Sequence, residues 1–377
     1  MKMKLKMEFI IVTFSFFYFI SCDKGSTTMT SPVVSPPAVI ANRNKFLWPF
    51  SKTSIWNMPL GSNAVYVDSD FGEVGLFYAD AEYIYQSNAT DPLQKVYLIG
   101  GWVPRVPTVS TPSYISIHIP DNYLIPDATT VPYYTPNNCA AFIEPDSLNY
   151  YELEPLTRPE NKGKVYAYNA NRNGIATQSI KEDGTWGAHF GSGLSTLGGS
   201  IRVGEINGVN PIRHAIKLEF DTHVFWKNPT NAAQSYRWPA YNCDGNTISY
   251  GIYNTSNKAQ AVGALLAIPP SIKMENLNLK TAQAKKIFQA LQDYGAYIVD
   301  ATGDGYKPNG GYSVTICAEK KVIDTEFDFN GSQGNNVNWF TDCKALIKVL
   351  KIVDNNSATS IGGGGTPRQP LAPNFIN

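Results

Sequence analysis

Apolar and polar residues alternate over much of the chain, and this alternation predicts short strands. The clearest case runs from residue 212 to residue 225, where Ile216, Leu218 and Phe220 alternate with charged side chains. A period of two is the signature of a half-buried strand. His214 shares the apolar face, whereas His223, nine positions further on, falls on the opposite face. We therefore expect the charged face of this strand to be solvated.

The same alternation, interrupted by clusters of Pro, Gly, Asn and Asp, predicts many further strands. A short strand at 201–206 is expected to be joined to the one at 212–225 through a turn at Asn207-Gly208. Many short strands at this spacing predict an all-β fold, a single jelly-roll-like β-sandwich domain. The remaining predicted strands are 64–67, 83–86, 95–99, 114–119, 141–144, 150–153, 164–170, 261–268, 296–299 and 312–318.

One or two short packing helices complete this prediction. Thr281 is the expected N-cap of a helix that ends at Gly295, because an apolar stripe with helical spacing lies between them. A second helix is expected from Asp342 to Leu350, with Thr341 as its cap.

The composition agrees with the strand pattern, and the charge balance argues against one class of partner. Aromatic residues make up 12% and charged residues only 16% of the chain, with 30 Gly and 25 Pro. Basic and acidic residues number 31 each; without residues 1–21 the counts are 28 and 30. No basic stripe is present, which argues against a nucleic-acid partner.

The N-terminus predicts export and a lipid anchor. Lys2, Lys4 and Lys6 precede an apolar stretch at 9–20, which is typical of a signal peptide and short for a membrane span. Residues 19–22 (Phe-Ile-Ser-Cys) resemble the lipobox of bacterial lipoproteins, which implies acylation of Cys22. The alternative is an ordinary signal peptide. Lipidation would hold the protein in the cell envelope, at the outer membrane, its periplasmic side or the cell surface, and would be its only contact with the membrane.

These features divide the chain into four parts and predict a monomer. The expected divisions are a signal peptide at 1–21, a flexible Ser/Thr/Pro-rich tether at 22–45, the β-sandwich domain at 46–354 and a C-terminal tail at 355–377 that is flexible or lies over the surface.

Four further cysteines permit either two disulfides or buried free thiols, and their spacing matches no zinc motif. Asp300 and Asp304 fit the first half of a calcium loop, but Gly311 stands where its Glu would be, so a plain turn is the favoured interpretation. No other cofactor or metal is predicted. The cysteines are Cys139, Cys243, Cys317 and Cys343.

The segment from Trp186 to Trp226 is the strongest candidate for ligand chemistry, because it holds three of the four histidines and a Gly-rich run. We predict a cleft there and a glycan-active enzyme, since aromatic side chains stack on sugar faces. A hydrolase needs two carboxylates; Glu205 is the first choice for one, while Asp221, Glu219 and Asp183 compete for the other. The predicted catalytic residues are Glu205, His214, His118 and Arg202.

A polysaccharide lyase would instead need a His or Tyr base and a cation facing the uronate carboxylate. His118, His214, Tyr236, Arg202 and Arg237 could supply these groups, and the sequence leaves hydrolase and lyase open. The alternative function is a non-catalytic surface lipoprotein that binds polysaccharide or oligosaccharide. The predicted substrate-binding residues are Trp186, Tyr236, Arg237, Trp238, Tyr114 and His189.

Several segments together resemble a family of exported bacterial and fungal proteins that has no assigned activity. The resemblance extends over most of residues 48–300, implies export and a single domain, and brings no catalytic residues. The matching segments are 49–51 (Pro-Phe-Ser), 55–57 (Ile-Trp-Asn), 192–205 from Ser192-Gly193-Leu194-Ser195 to Glu205, 213–216 (Arg-His-Ala-Ile), 237–240 (Arg-Trp-Pro-Ala) and 290–300.

Overall fold

The computed structural model describes residues 43–99, 112–125, 138–158, 163–168, 178–244, 253–302 and 310–375. Cys22, the predicted signal peptide, most of the predicted tether and Asp304 lie outside these ranges. No helix within them is long and apolar enough to cross a membrane.

The described strands form two mixed sheets. The strands are β1 Tyr66–Asp68, β2 Val74–Gln86, β3 Leu93–Ile99, β4 Tyr114–His118, β5 Ala140–Ile143, β6 Asn149–Leu153, β7 Leu156–Thr157, β8 Val165–Tyr168, β9 Gln178–Ser179, β10 Ile216–Phe220, β11 Leu265–Ala267, β12 Ala296–Ala301, β13 Tyr312–Glu319 and β14 Lys351–Val353. The larger sheet has the order β1-β14-β11-β12-β10-β13-β2-β5-β6-β9, and the smaller has the order β4-β3-β8-β7.

β10 lies near the middle of the larger sheet, parallel to β12 and antiparallel to β13. β13 runs parallel to β2, and β2 runs parallel to β5. These four pairings bring residues from distant parts of the chain onto one surface. The prediction of a mainly β fold with few packing helices is confirmed.

Three helices are described: α1 Ala282–Asp293, α2 Lys320–Thr325 and α3 Val337–Val349. Thr281 caps α1 as predicted, because its hydroxyl accepts the Ala284 N–H at 3.3 Å. The predicted start of α3 is wrong. The helix begins at Val337, and Thr341 lies inside it with its hydroxyl donating to the Val337 carbonyl.

The helices and the smaller sheet cover the same face of the larger sheet. On β2, Phe77 packs against Trp339 of α3 with ring centroids 5.6 Å apart. Tyr83, on the same side of β2, packs into a core with Val96 of β3 and Ile117 of β4. The two sheets therefore stack face to face at one end, and helices take over at the other.

Loops cover the opposite face of the larger sheet. Phe50 and Trp56 pack there from the N-terminal loop (residues 43–65), and Leu194 and Leu197 pack there from the Gly-rich loop (residues 186–199). Lys217 and Glu219 of β10 point to this side and are 0% and 3% exposed. The expectation of a solvated charged face on this strand is therefore wrong, because loops close over it.

The predicted strand at 201–206 is also wrong. Only Ile201 forms a bridge, to Ala318, and a turn follows in which the Glu205 N–H donates to the Arg202 carbonyl. The described part of the C-terminal tail lies against the N-terminal loops, with Gly61 bridged to Pro367. All four described cysteines are buried free thiols.

Candidate functional site

Ionisable side chains from four strands gather on the loop-covered face of the larger sheet. Alternation explains most of them, because each strand places every second residue on that face; Asp300 reaches it through the register shift between β10 and β12, where Leu218 pairs with Ile298 and Glu219 with Asp300. All of them are at least nine-tenths buried. The group, which we call the ionisable cluster, comprises Asp80 and Glu82 of β2, Lys217 and Glu219 of β10, Asp300 of β12, Cys317 of β13 and His189 of the Gly-rich loop.

Lys217 forms the centre of the cluster. Its Nζ donates to Glu82 Oε1 at 2.6 Å and to the carbonyls of Ser195 at 3.1 Å and Thr196 at 2.7 Å. His189 Nε2 lies 2.5 Å from the same Glu82 oxygen. Burial lowers the pKa of Lys217, but the charge and hydrogen bond of Glu82, together with the nearby Cys317 and Cys139, outweigh it, so the net shift is upward and the amine is protonated.

A second group of cluster side chains, Asp80, Glu219 and Cys317, accepts no hydrogen bond from the Lys217 ammonium. Carboxylate oxygens of Asp80 and Glu219 and the Cys317 Sγ all lie within 4.8 Å of one another. The Cys317 thiol donates to Glu219 Oε1 at 3.4 Å. Asp80 Oδ2 is buried and accepts no hydrogen bond from the described residues.

The charged forms of the Asp80 and Glu219 carboxyl groups are both disfavoured by their surroundings. Burial and the nearby charge of Glu82 raise the pKa of Asp80 to about 6. Burial and the charge of Asp80 raise the pKa of Glu219 well above its usual range. Perturbed carboxyls that meet on one surface are characteristic of functional sites.

Glu152 of β6 holds the Gly-rich loop over the cluster. Its carboxylate accepts the N–H groups of Ala188 at 3.0 Å and of Thr196 and Leu197, each at 2.8 Å, and the Ser195 hydroxyl at 2.6 Å. Glycine is required at position 198 of this loop, because an added Cβ would stand 2.3 Å from the Trp56 indole nitrogen. The loop therefore fits closely between β6 and the N-terminal loop.

The outer side of the same loop is aromatic. Trp186 is 46% exposed and stacks on Tyr241 with ring centroids 4.1 Å apart. The rings of Phe190 and Tyr168 also pack together, with their centroids 5.6 Å apart. The segment that carries buried His189 thus also presents a surface on which a sugar ring could stack.

Three of the predicted catalytic residues do come together, but their polar groups are already hydrogen-bonded to one another or to other parts of the protein. Glu205 Oε2 accepts the Arg202 N–H at 2.7 Å and lies 3.1 Å from His214 Nε2. His214 Nδ1 lies 2.9 Å from the Ala215 carbonyl, and Arg202 Nε donates to Glu319 at 2.9 Å. Arg202 and His214 line a cavity of about 10 Å³, which is roughly the space that a single water molecule needs.

His118 and Tyr114 lie apart from these groups, on β4 of the smaller sheet. His118 Nδ1 is 2.8 Å from Glu144 Oε2. Tyr114 is 49% exposed, and the Lys95 ammonium lies 4.1 Å from its ring centroid.

Two of the predicted binding residues line an open groove of about 710 Å³. Arg237 and Trp238 form part of its wall, together with Lys258 and Asp354. Arg237 donates to the Asp354 carbonyl at 2.6 Å. Tyr236 is bridged to Val262 just before this wall.

Of the competing carboxylates, only Glu219 belongs to the ionisable cluster. Asp221 accepts the His223 N–H at 2.9 Å and caps a short helical turn, and Asp183 is an exposed turn residue that accepts the Thr185 N–H at 3.0 Å. Sequence reasoning missed Asp80, Glu82, Lys217 and Cys317. The available signal was charge at alternating positions within otherwise apolar strands.

In comparisons with protein-family models, curated proteins and solved structures, this chain matched none of them.

Proposed function

We propose that this protein is an exported, lipid-anchored enzyme that hydrolyses polysaccharide and that its reacting groups belong to the ionisable cluster. The observation that carries the proposal is the convergence of Asp80, Glu219 and Asp300 from three strands. Glu219 and Asp300 are paired in the β10–β12 register, and oxygens of Asp80 and Glu219 are within 4.8 Å of one another. Glycoside hydrolysis uses a pair of carboxyl groups that flank the scissile bond.

The cost of burial supports a functional role for these groups. An ion pair buried in a protein seldom gains net stability over apolar packing. This cluster gathers four carboxylates around one ammonium, although Val or Leu would fill the same face. Such a group is retained where its chemistry is used.

Charge favours hydrolysis over elimination. A lyase acting on a uronate needs a cation near the reacting sugar. The two arginines proposed for that role are engaged elsewhere, Arg202 with Glu319 and Arg237 with Asp354. An excess of carboxylates would also repel an acidic sugar.

The test is incubation of the purified protein with a panel of neutral and acidic polysaccharides. Both new reducing ends and the ultraviolet absorbance of an unsaturated product are measured. We expect reducing ends from a neutral polysaccharide without that absorbance, and loss of the activity in Glu219→Gln. An unsaturated product would identify a lyase, and a panel without any turnover would contradict an enzymatic role on glycans.

The groove beside Trp238 favours one alternative, a non-catalytic glycan-binding lipoprotein. Its lining shares no residue with the ionisable cluster. In that case a polysaccharide would bind without being cut, and Trp238→Ala would abolish binding whereas Glu219→Gln would not.

A further inference from the structure

Two overlapping triplets of potential metal ligands occur in the ionisable cluster, and both use the Cys317 thiol. In one, Glu82 and His189 accompany Cys317; in the other, Asp80 and Glu219 do. Within each triplet the ligand atoms lie within 4.8 Å of one another.

The first triplet already contacts a cation of the protein itself, the Lys217 ammonium. Lys217 Nζ lies 2.6 Å from Glu82 Oε1 and 3.1 Å from His189 Nε2. Its remaining hydrogen-bonding capacity goes to the carbonyls of Ser195 and Thr196. The ammonium therefore has no donor left for Asp80 or Glu219.

The second triplet lacks such a partner. Asp80 is 8% exposed, and its Oδ2 accepts no hydrogen bond from any described residue. The one described hydrogen bond to Glu219 comes from the Cys317 thiol, a weak donor. A buried carboxylate oxygen without a donor is costly, and a bound cation would remove that cost.

We propose that Asp80, Glu219 and Cys317 bind a divalent metal ion, with Zn²⁺ the ion that fits them best. Two carboxylates and one thiolate match the oxygen and sulfur ligands that Zn²⁺ takes, whereas Mg²⁺ and Ca²⁺ prefer oxygen alone. Three protein ligands leave a fourth tetrahedral position for water, as in catalytic zinc sites.

The charges of the surrounding groups agree with a divalent ion. Asp80, Glu82, Glu219 and Asp300 carry up to four negative charges, against Lys217 and His189. With these groups and the Cys317 thiolate ionised, the net charge is minus three, of which a divalent ion would neutralise two. Asp80 and Glu219 cannot hold the ion and also act as the acid and base, so in the metal-loaded protein Asp300 is the cluster carboxylate left for that role. The inference depends on this geometry alone and stands whether or not the substrate is a glycan.

The test is metal binding by the purified protein after treatment with a chelator, without any polysaccharide. Zn²⁺ is titrated in competition with a chromophoric chelator, and Co²⁺ is titrated separately to detect a thiolate-to-metal charge-transfer band. We expect one ion per chain and a thiolate band. Cys317→Ser and Asp80→Asn should each weaken Zn²⁺ binding more than about 100-fold, beyond the 10–100-fold effect of outer-shell partners.

Cys343→Ser is the matched control, because Cys343 is also a buried free thiol and belongs to neither triplet. Its Zn²⁺ affinity should stay within threefold of the unmodified protein. Absence of binding, absence of the thiolate band, or an equal loss in Cys343→Ser would overturn the inference.

X-ray absorption of the Zn²⁺-loaded unmodified protein keeps the test decisive if a variant fails to fold. One sulfur at about 2.3 Å with oxygen ligands at about 2.0–2.2 Å is the expected shell. A shell without sulfur overturns the inference, and an imidazole ligand overturns it by assigning the ion to the triplet of Glu82, His189 and Cys317.

Discussion

Replacing Lys217 with methionine tests whether the ionisable cluster holds the Gly-rich loop on the sheet. Lys217 is fully buried and donates to Glu82 and to the carbonyls of Ser195 and Thr196. Removing one partner of a buried ion pair costs about 3–5 kcal/mol. Each carbonyl that loses its donor adds roughly 1 kcal/mol. We therefore expect Lys217→Met to lower the free energy of unfolding by at least about 4 kcal/mol.

The assay is urea denaturation followed by tryptophan fluorescence, with a chelator present so that no metal contributes. Lys351→Met is the control, since Lys351 pairs with Asp68 at the surface of the same sheet. An exposed pair of this kind contributes under about 1 kcal/mol.

A double variant separates charge from packing. Glu82→Gln alone leaves the Lys217 ammonium buried without its carboxylate, so it should also be destabilising. In Lys217→Met with Glu82→Gln neither charge is unpaired, and the combined loss should fall short of the sum by about 1–3 kcal/mol. A loss under about 1 kcal/mol in Lys217→Met, or additive effects in the double variant, would refute the reasoning.

Three further predictions concern the loops and the thiols. Gly198→Ala should destabilise the protein by about 1–3 kcal/mol, because the added Cβ meets the Trp56 ring; Gly334→Ala, where no atom lies within 4 Å of the added Cβ, should change stability by under about 0.5 kcal/mol, and equal melting temperatures would contradict this. Burial lowers the pKa of His214, but the charge of Glu205 and the hydrogen bonds to Glu205 and Ala215 together outweigh it, and the net shift is upward. The stabilisation from this pair should therefore be complete below about pH 6.5 and decline at higher pH; a stability difference from His214→Gln that stays constant between pH 6 and 9 would argue against it. Because the four described cysteines are buried free thiols, they should react with a thiol reagent only after unfolding, and mass spectrometry that finds a disulfide would contradict the structure.

Local patterns predicted much of the fold. The period of two identified β10 and most of its neighbours, and the Thr281 cap with the Gly295 stop identified α1. Each of these signals is formed by residues that are close together in the sequence, so the sequence reveals it directly.

The pairing of strands and the burial of the cluster could not be predicted in the same way. Lys217 meets Glu82 across 135 positions of sequence, through a sheet in which β10, β13 and β2 are neighbours. Charge on alternate residues of β10 looks like a solvated face unless the loop that covers it is known. The cluster was missed for this reason, whereas the contact of Glu205 with His214 spans nine positions.

The turnover of two isosteric variants, measured with the same panel of polysaccharides as the unmodified protein, tests the central claim most directly. The account predicts that Asp300→Asn lowers kcat/KM by about 100-fold or more, in line with the contribution of a positioned acid or base. Glu205→Gln should retain activity within about threefold, because that carboxylate holds a turn. Full activity in Asp300→Asn together with loss in Glu205→Gln would contradict the account and return the reacting centre to the pair of Glu205 and His214.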